Sequence, residues 1–405
     1  MKVLYPRAGC TTSNDVTTRA VSVRFSVMPF DEAIIRMLDD LSKRLFVEVR
    51  TDPALAPLAF FVRKASSTRM ATNVRERLPS GTVPTPQGLV FHVPPTNVDT
   101  LFLYTLAIAL LSGNSNIVRI SENSGPGTFR VLDILFEVLD NHPEIAELVT
   151  VVQFGRDLDT LTEFSQACDL RMIWGGDTSI QSVREARLSP AAKELTFPDR
   201  MSFAAIRGEA WQSADEEKKN QLAQGFFNDT FWFDQMACSS PQLLVIVSDS
   251  HAIHQAVERD FVSRVTAIAE RQYELPEGQA INKMVAAVNA VALGATHIDW
   301  ESNFGVFVDG MNLQSATAVR PGGGFVSTQE ARSLNEVLPF IRRTTQTMSS
   351  FGFDSETLME FARSLNGRGI DRLVPLGNAL DFSSIWDGKD LPMEMLRLID
   401  VTVSE

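Results

Sequence analysis

Residues 88–123 read GLVFHVPPTNVDTLFLYTLAIALLSGNSNIVRISEN, and their hydrophobic pattern decides the architecture. GLVFHV (88–93) is a short apolar run closed by Pro94 and Pro95. Proline cannot donate to a sheet ladder, so the run predicts a strand that ends in a loop. DTLFLYTLAIALLSGN (99–114) has helical length, with Gly113 placed as a terminating residue. SNIVRI (115–120) predicts the next strand, the loop SENSGPG follows, and TFRVLDILFEVLDNH predicts a second helix. VTVVQF (149–154), a helix near 157–167 and the strand DLRMIWGG continue the series. This βαβα period predicts an α/β fold with a parallel, doubly wound sheet, whose ligands sit beyond the carboxyl ends of the strands.

Outward from this segment, residues 26–80 are predicted to be mainly helical. After ELTFPDRMSFAAI (194–206), the polar stretch ADEEKKNQLAQ opens a helix and a second alternating region begins. It runs through LLVIV, helices at 251–270 and 279–293, and GVFVDG. Three parts are expected: residues 1–206 as a helical region plus a first α/β domain, 207–365 as a second α/β domain, and 366–405 as a turn-rich arm. The arm is expected to pack on the first domain or on a partner subunit. The chain contains no internal repeat or low-complexity tract.

Composition narrows the class. With 37 Lys and Arg against 50 Asp and Glu, the formal net charge is −13, so no nucleic-acid partner is expected. The longest apolar run, LFLYTLAIALL (101–111), is short of the roughly 20 residues a bilayer requires, and the first residues hold no signal-peptide core. A cytoplasmic location is expected. Cys10, Cys168 and Cys238 are widely spaced, which suits a reducing compartment and supplies no CxxC or Cys/His metal spacing.

Neither GxGxxG nor GxxxxGK[ST] is present, so the two commonest phosphate-cradling signatures are absent. Instead, PPTNVDTLF, GNSNIVRISEN and IWGGDTSI each stand at the end of a predicted strand, and FDQMACSSPQ (233–242) follows in the second region. In this order the motifs resemble the aldehyde dehydrogenase superfamily. The WGGD turn, FDQMACSSPQ and GIDRLVPLGNALDFSSIWDG near the carboxyl end are similar, more closely, to the LuxC family of acyl-CoA reductases. The resemblance covers about 88–390 and implies an aldehyde-dehydrogenase-like fold with a doubly wound cofactor domain, an α/β catalytic domain and a short C-terminal arm.

The same resemblance distributes roles. Cys238 is expected to be the nucleophile, because a thiol attacks an activated acyl group and leaves a thioester whose carbonyl can accept hydride. Cys168, at the end of a helical pattern beside a strand, reads as packing. Asn97 matches the superfamily's loop asparagine, an amide donor to the developing oxyanion, while TNVDT also suits an asparagine that caps the following helix. Arg119 and Glu122 match the lysine and glutamate of the adenosine-ribose motif. Arginine there favours NADPH, with NADH the alternative. Gly175 and Gly176 let the backbone approach a pyrophosphate, or simply end a strand tightly. Thr196 falls where aldehyde-oxidising relatives place a general base, with Glu194 two residues upstream, so a bound thioester should not be hydrolysed. No Glu-x-Phe-Gly motif appears; RPGGGFV (320–326) occupies that neighbourhood.

Cysteine with histidine would suggest a hydrolase, but His92, His142, His251, His254 and His297 form no catalytic signature. His251 and His254 lie one turn apart on a predicted helix, share a face, and without a third ligand read as a solvated pair. No metal is expected. The expected activity is NADPH-dependent reduction of an acyl-CoA, acyl-carrier or acyl-adenylate to an aldehyde through a cysteine thioester. It would act beside an acyl-activating or acyl-transferring partner enzyme and as a homo-oligomer. The alternatives are a cysteine acyltransferase or thioesterase without nicotinamide, and a non-catalytic scaffold subunit of the same fold.

Overall fold

The computed structural model describes residues 1–7 and 9–402. The chain divides into two compact units, Met1–Asp199 together with the segment from Asp381 onward, and Arg200–Leu380.

The first unit is built on a six-stranded sheet. Its order is Lys2–Tyr5, Val149–Gln153, Ser115–Ile120, Leu89–Val93, Leu170–Trp174 and Lys193–Phe197. All neighbours run parallel except the amino-terminal edge strand. Every residue of Leu89–Val93 is buried, as a strand covered on both faces requires. The helix Leu101–Leu111 that follows it is buried on all sides, which its uniformly apolar sequence permits. Strand order reverses at Leu89–Val93: Ser115–Ile120 and then Val149–Gln153 build outward on one side, and the chain then crosses to Leu170–Trp174 on the other. Such a reversal opens a crevice at the carboxyl ends of these strands. The predicted helical stretch contains Glu32–Glu48, Ala56–Val62 and Lys64–Arg77. The ribbon Thr82–Pro86 pairs antiparallel with Leu396–Asp400.

The second unit holds a seven-stranded sheet. The order is His297–Ser302, Gly305–Asp309, Phe325–Ala331, Pro241–Val247, Met201–Arg207, Thr345–Phe351 and Arg372–Pro375, parallel except for the first strand. Alternation along Met201–Arg207 sends Phe203 and Ala205 into one core, and Ala204 and Ile206 into the other. The second of these cores includes Phe226 and Phe227 of the helix Glu216–Phe231, and Phe261 of the helix His251–Gln272.

Two boundaries differ from the sequence expectation. The division falls at 199/200 rather than near 207, because Met201–Arg207 pairs with Pro241–Val247 and Thr345–Phe351 and so belongs to the second sheet. Residues 366–380 are not arm but edge of that sheet, through Arg372–Pro375; only from Asp381 does the chain return to the first unit.

Candidate active site

Cys238 lies in the second unit, in the turn between the helix Glu216–Phe231 and the strand Pro241–Val247. The chain reaches it through three consecutive left-handed residues, Phe233, Asp234 and Gln235, at φ of 54°, 53° and 63°. Residues with a Cβ avoid this region, and such strain persists only where the surroundings hold it, commonly at functional sites.

Here Gln235 supplies most of the hold. Its buried amide donates to the carbonyls of Pro241 (2.8 Å) and Phe325 (3.0 Å), and its Oε1 accepts from the backbone N–H of Gly324 (3.0 Å) and Phe325 (3.2 Å). Gly323 N–H donates to the Asp234 carbonyl at 2.9 Å. Glycine is required at 324, where φ is +83° and a Cβ would stand 2.3 Å from the Phe231 ring. RPGGGFV therefore buttresses the cysteine turn.

The cysteine itself is half-buried and held from two strands. The Ser202 hydroxyl donates to the Cys238 carbonyl at 2.8 Å, and the same oxygen accepts from Thr347 N–H at 3.1 Å. Gln346, fully buried on Thr345–Phe351, points its Nε2 at the Cys238 sulfur, 3.2 Å away. An amide donor aimed at sulfur favours the thiolate, the nucleophilic form. Cys168 contrasts with it: burial raises its thiol to about 12, and its sulfur donates to the Ser165 carbonyl at 3.4 Å, as the packing reading expects.

Five other residues singled out in the sequence come together in the first unit. Asn97 follows Leu89–Val93, Arg119 and Glu122 close Ser115–Ile120, and Gly175 and Gly176 follow Leu170–Trp174. These are the carboxyl ends of the three strands around the reversal of order. Asn97 is exposed, and the N-cap position of the next helix is taken by Thr100.

Arg119 is partly committed to the protein. Its Nη2 donates to the Gly155 carbonyl at 2.8 Å and its Nε to that of Phe154 at 3.3 Å, and the guanidinium lies over the Phe154 ring. Glu122 covers Gly155 so closely that a Cβ there would meet its carboxylate at 2.6 Å. Gly175, at φ +152°, donates its N–H to Phe197, and nothing lies within 4 Å of where a Gly176 Cβ would stand, at the start of the helix Asp177–Arg184.

Glu194, the carboxylate near the superfamily's base position, is engaged elsewhere. Burial would raise its pKa, but hydrogen bonds from Arg171 (Nε, 3.0 Å) and Arg184 (Nε, 2.7 Å) overbalance that and keep it ionised. It is an ion-pair anchor between Arg171 and Arg184. His92 is buried on the central strand between Thr105 and Asn116, and burial lowers it to about 4, so it is neutral.

Gln346, Ser202 and Gln235 were not assigned roles from sequence. One signal was available: TQTMSSF is polar yet forms a buried strand, and polar residues are buried only where partners await them.

The parallel two-unit architecture is that of the aldehyde dehydrogenases. The chain resembles aldehyde dehydrogenase 21 from Physcomitrella patens, solved with succinate, at 13% identity and a TM-score of 0.70, covering 96% of this chain and 90% of that one. Lactaldehyde dehydrogenase from Escherichia coli aligns at 13% identity and TM-score 0.64 over 96% and 91%. PnpE in complex with nicotinamide adenine dinucleotide aligns at 13% and 0.63 over 97% and 91%. No curated protein matches by sequence. The family model of LuxC, acyl-CoA reductase, matches residues 67–398, and the chain belongs to that family. It is accordingly an oxidoreductase that works between acyl groups and aldehydes. Among the described residues, no helix is long and apolar enough to cross a membrane.

Proposed function

We propose that this chain reduces an activated acyl group to an aldehyde with a nicotinamide cofactor, Cys238 serving as the acyl carrier. The observation that carries the reading is the Gln346 amide aimed at the sulfur of a cysteine on a strained, heavily braced turn.

The Cys238 sulfur attacks the acyl carbonyl, a carbon–sulfur bond forms, and the donor's thiol or other leaving group departs with the electron pair of its own bond. Asn97 retains the oxyanion-donor role that the family likeness implies. The nicotinamide, when bound, supplies a hydride. Once the acyl carbon is reduced, the Cys238 carbon–sulfur bond breaks, the aldehyde leaves and the thiolate is restored.

Residues at the strand ends of the first unit fit a dinucleotide. The open backbone at Gly175 and Gly176 suits a pyrophosphate, and the exposed Glu122 suits ribose hydroxyls. NADPH is the preferred form in this reading. Arg119 spends its Nε–H and one Nη2 N–H on the protein, and its Nη1, with no bond among the described residues, is placed to meet a 2′-phosphate. The engagement of Glu194 by two arginines weighs against the thioesterase alternative, since a base for hydrolysis is not offered there.

The test is to incubate the protein with acyl-CoAs of graded length and NADPH, following nicotinamide absorbance and the mass of the Cys238 peptide. Acylation of Cys238 with cofactor consumption supports the reading. Acylation followed by free acid, with no cofactor consumed, would replace it with a thioesterase.

A further inference from the structure

The second unit carries a cluster that the acyl chemistry leaves unused. His251 and His254 occupy the first turn of the helix His251–Gln272, and their rings lie parallel, 8° apart in plane, with centroids 6.3 Å apart. The third member arrives from the sheet: Glu330, near the carboxyl end of Phe325–Ala331, accepts from His251 Nδ1 at 2.8 Å and lies 4.0 Å from His254 Nδ1. One donor atom from each residue lies within 4.8 Å of the other two.

His254 is the second observation. It is 3% exposed, and among the described residues neither of its ring nitrogens has a hydrogen-bond partner. A buried imidazole with both nitrogens unsatisfied is costly, and such a group calls for an explanation, an absent ion among them. Its Nδ1 also stands 3.9 Å from the half-buried Glu258 carboxylate, which is itself within electrostatic reach of Asp309 and His297. Negative charge therefore gathers around the histidines.

We propose that His251, His254 and Glu330 bind a divalent transition-metal ion of the zinc class. Two imidazoles and one carboxylate form a donor set for such an ion, leaving one coordination position for Glu258 or a water. With bonds of about 2 Å, tetrahedral ligand atoms stand about 3.3 Å apart, so small side-chain rotations suffice. Gln255, whose Nε2 lies 3.0 Å from His251 Nε2, is placed to orient that ring; its amide turns to offer oxygen once the proton moves to Nε2.

The site lies at the carboxyl end of the strand Pro241–Val247, whereas Cys238 precedes the amino end of the same strand. Seven strand residues at about 3.3 Å each separate the two by roughly 20 Å. The inference is thus independent of the acyl reading, and the metal would pin the helix start to the sheet rather than take part at the thiol.

The test uses the full-length chain, stripped with a chelator and titrated with Zn²⁺ by calorimetry, with Co²⁺ as a spectroscopic probe. One ion per chain, a raised Tm and the visible bands of four-coordinate Co²⁺ are expected. Stoichiometric binding should be lost in Glu330→Gln and in His251→Ala. His251 is exposed, so its removal leaves the core intact even if His254→Ala misfolds. Cys238→Ala should bind as the parent does. No saturable binding in the folded parent would overturn the proposal, as would binding that survives both Glu330→Gln and His251→Ala, or binding abolished by Cys238→Ala.

Discussion

Replacing Gln346 by Met keeps the length of the side chain and removes the Nε2 donor that stands 3.2 Å from the Cys238 sulfur. Gln346 is fully buried, so water has no ready route to take over the donor's place. A hydrogen bond to a charged group is worth about 1.5–3 kcal/mol, and the length here argues for the lower end. A loss of about 1.5 kcal/mol from the thiolate alone lowers its population roughly tenfold at a pH where the thiol form dominates. The assay is the rate of Cys238 alkylation by iodoacetamide across pH, with Cys10→Ser and Cys168→Ser as background. In Gln346→Met the rate at neutral pH should fall about tenfold, and the whole profile should move to higher pH while its plateau stays near the parent's. Gln346→Glu should move it further in the same direction, because a carboxylate repels the thiolate. A profile that does not move in either variant would refute the assignment and leave Gln346 as packing.

Cys238→Ser should abolish acyl-enzyme formation, read by peptide mass, while cofactor binding persists; continued acylation would identify another nucleophile. Asn97→Ala should lower kcat by about 10²–10³-fold with little change in Tm; a lowered Tm with kcat unchanged would make Asn97 a helix cap instead. In fluorescence titrations, Arg119→Ala should weaken NADH somewhat, through loss of the brace on Phe154 and Gly155, and NADPH distinctly more; equal losses would leave only the brace. His92 binds its proton at about 4 in the fold against about 6.5 unfolded. The unfolded chain therefore takes up protons first as pH falls, and stability present above pH 6.5 declines by about 3 kcal/mol on reaching pH 4. Urea midpoints should show this slope, and His92→Gln should flatten it.

From residue 88 the order of strands and helices in the first unit was legible because each apolar run is punctuated by proline or glycine, as at Pro94, Pro95 and Gly113; the edge strand Lys2–Tyr5 and the helix Ser13–Ser22 were not read. The division between units was misplaced by a few residues for a physical reason. Lys193–Phe197 and Met201–Arg207 are consecutive strands joined by the short PDR loop, and only their partners in space put them in different sheets. Cys238, Asn97, Glu122, Gly175 and Gly176 could be singled out as motif residues because each sits in a loop beside a strand, and Arg119 because it closes one. Gln346 was not, because it belongs to no motif and its meaning comes from a sulfur that a parallel sheet brings to it from a distant part of the chain.

The histidine pair shows the same limit from the other side. Helical periodicity correctly places His251 and His254 on one face, yet periodicity says nothing of what that face meets. It meets the carboxyl end of Phe325–Ala331, which is hydrogen-bonded to Pro241–Val247 as a parallel neighbour. Parallel neighbours need long crossovers, so residues that share a strand-end site in such a sheet are far apart in sequence by construction. A pair of histidines at helical spacing just after a predicted parallel strand therefore deserves a search among the acidic residues at the ends of the other predicted strands. Here that search would have returned Asp309 at the end of GVFVDG but not Glu330, whose strand the hydrophobic pattern did not single out; only the sheet brings Glu330 to within 4.0 Å of the unsatisfied ring of His254.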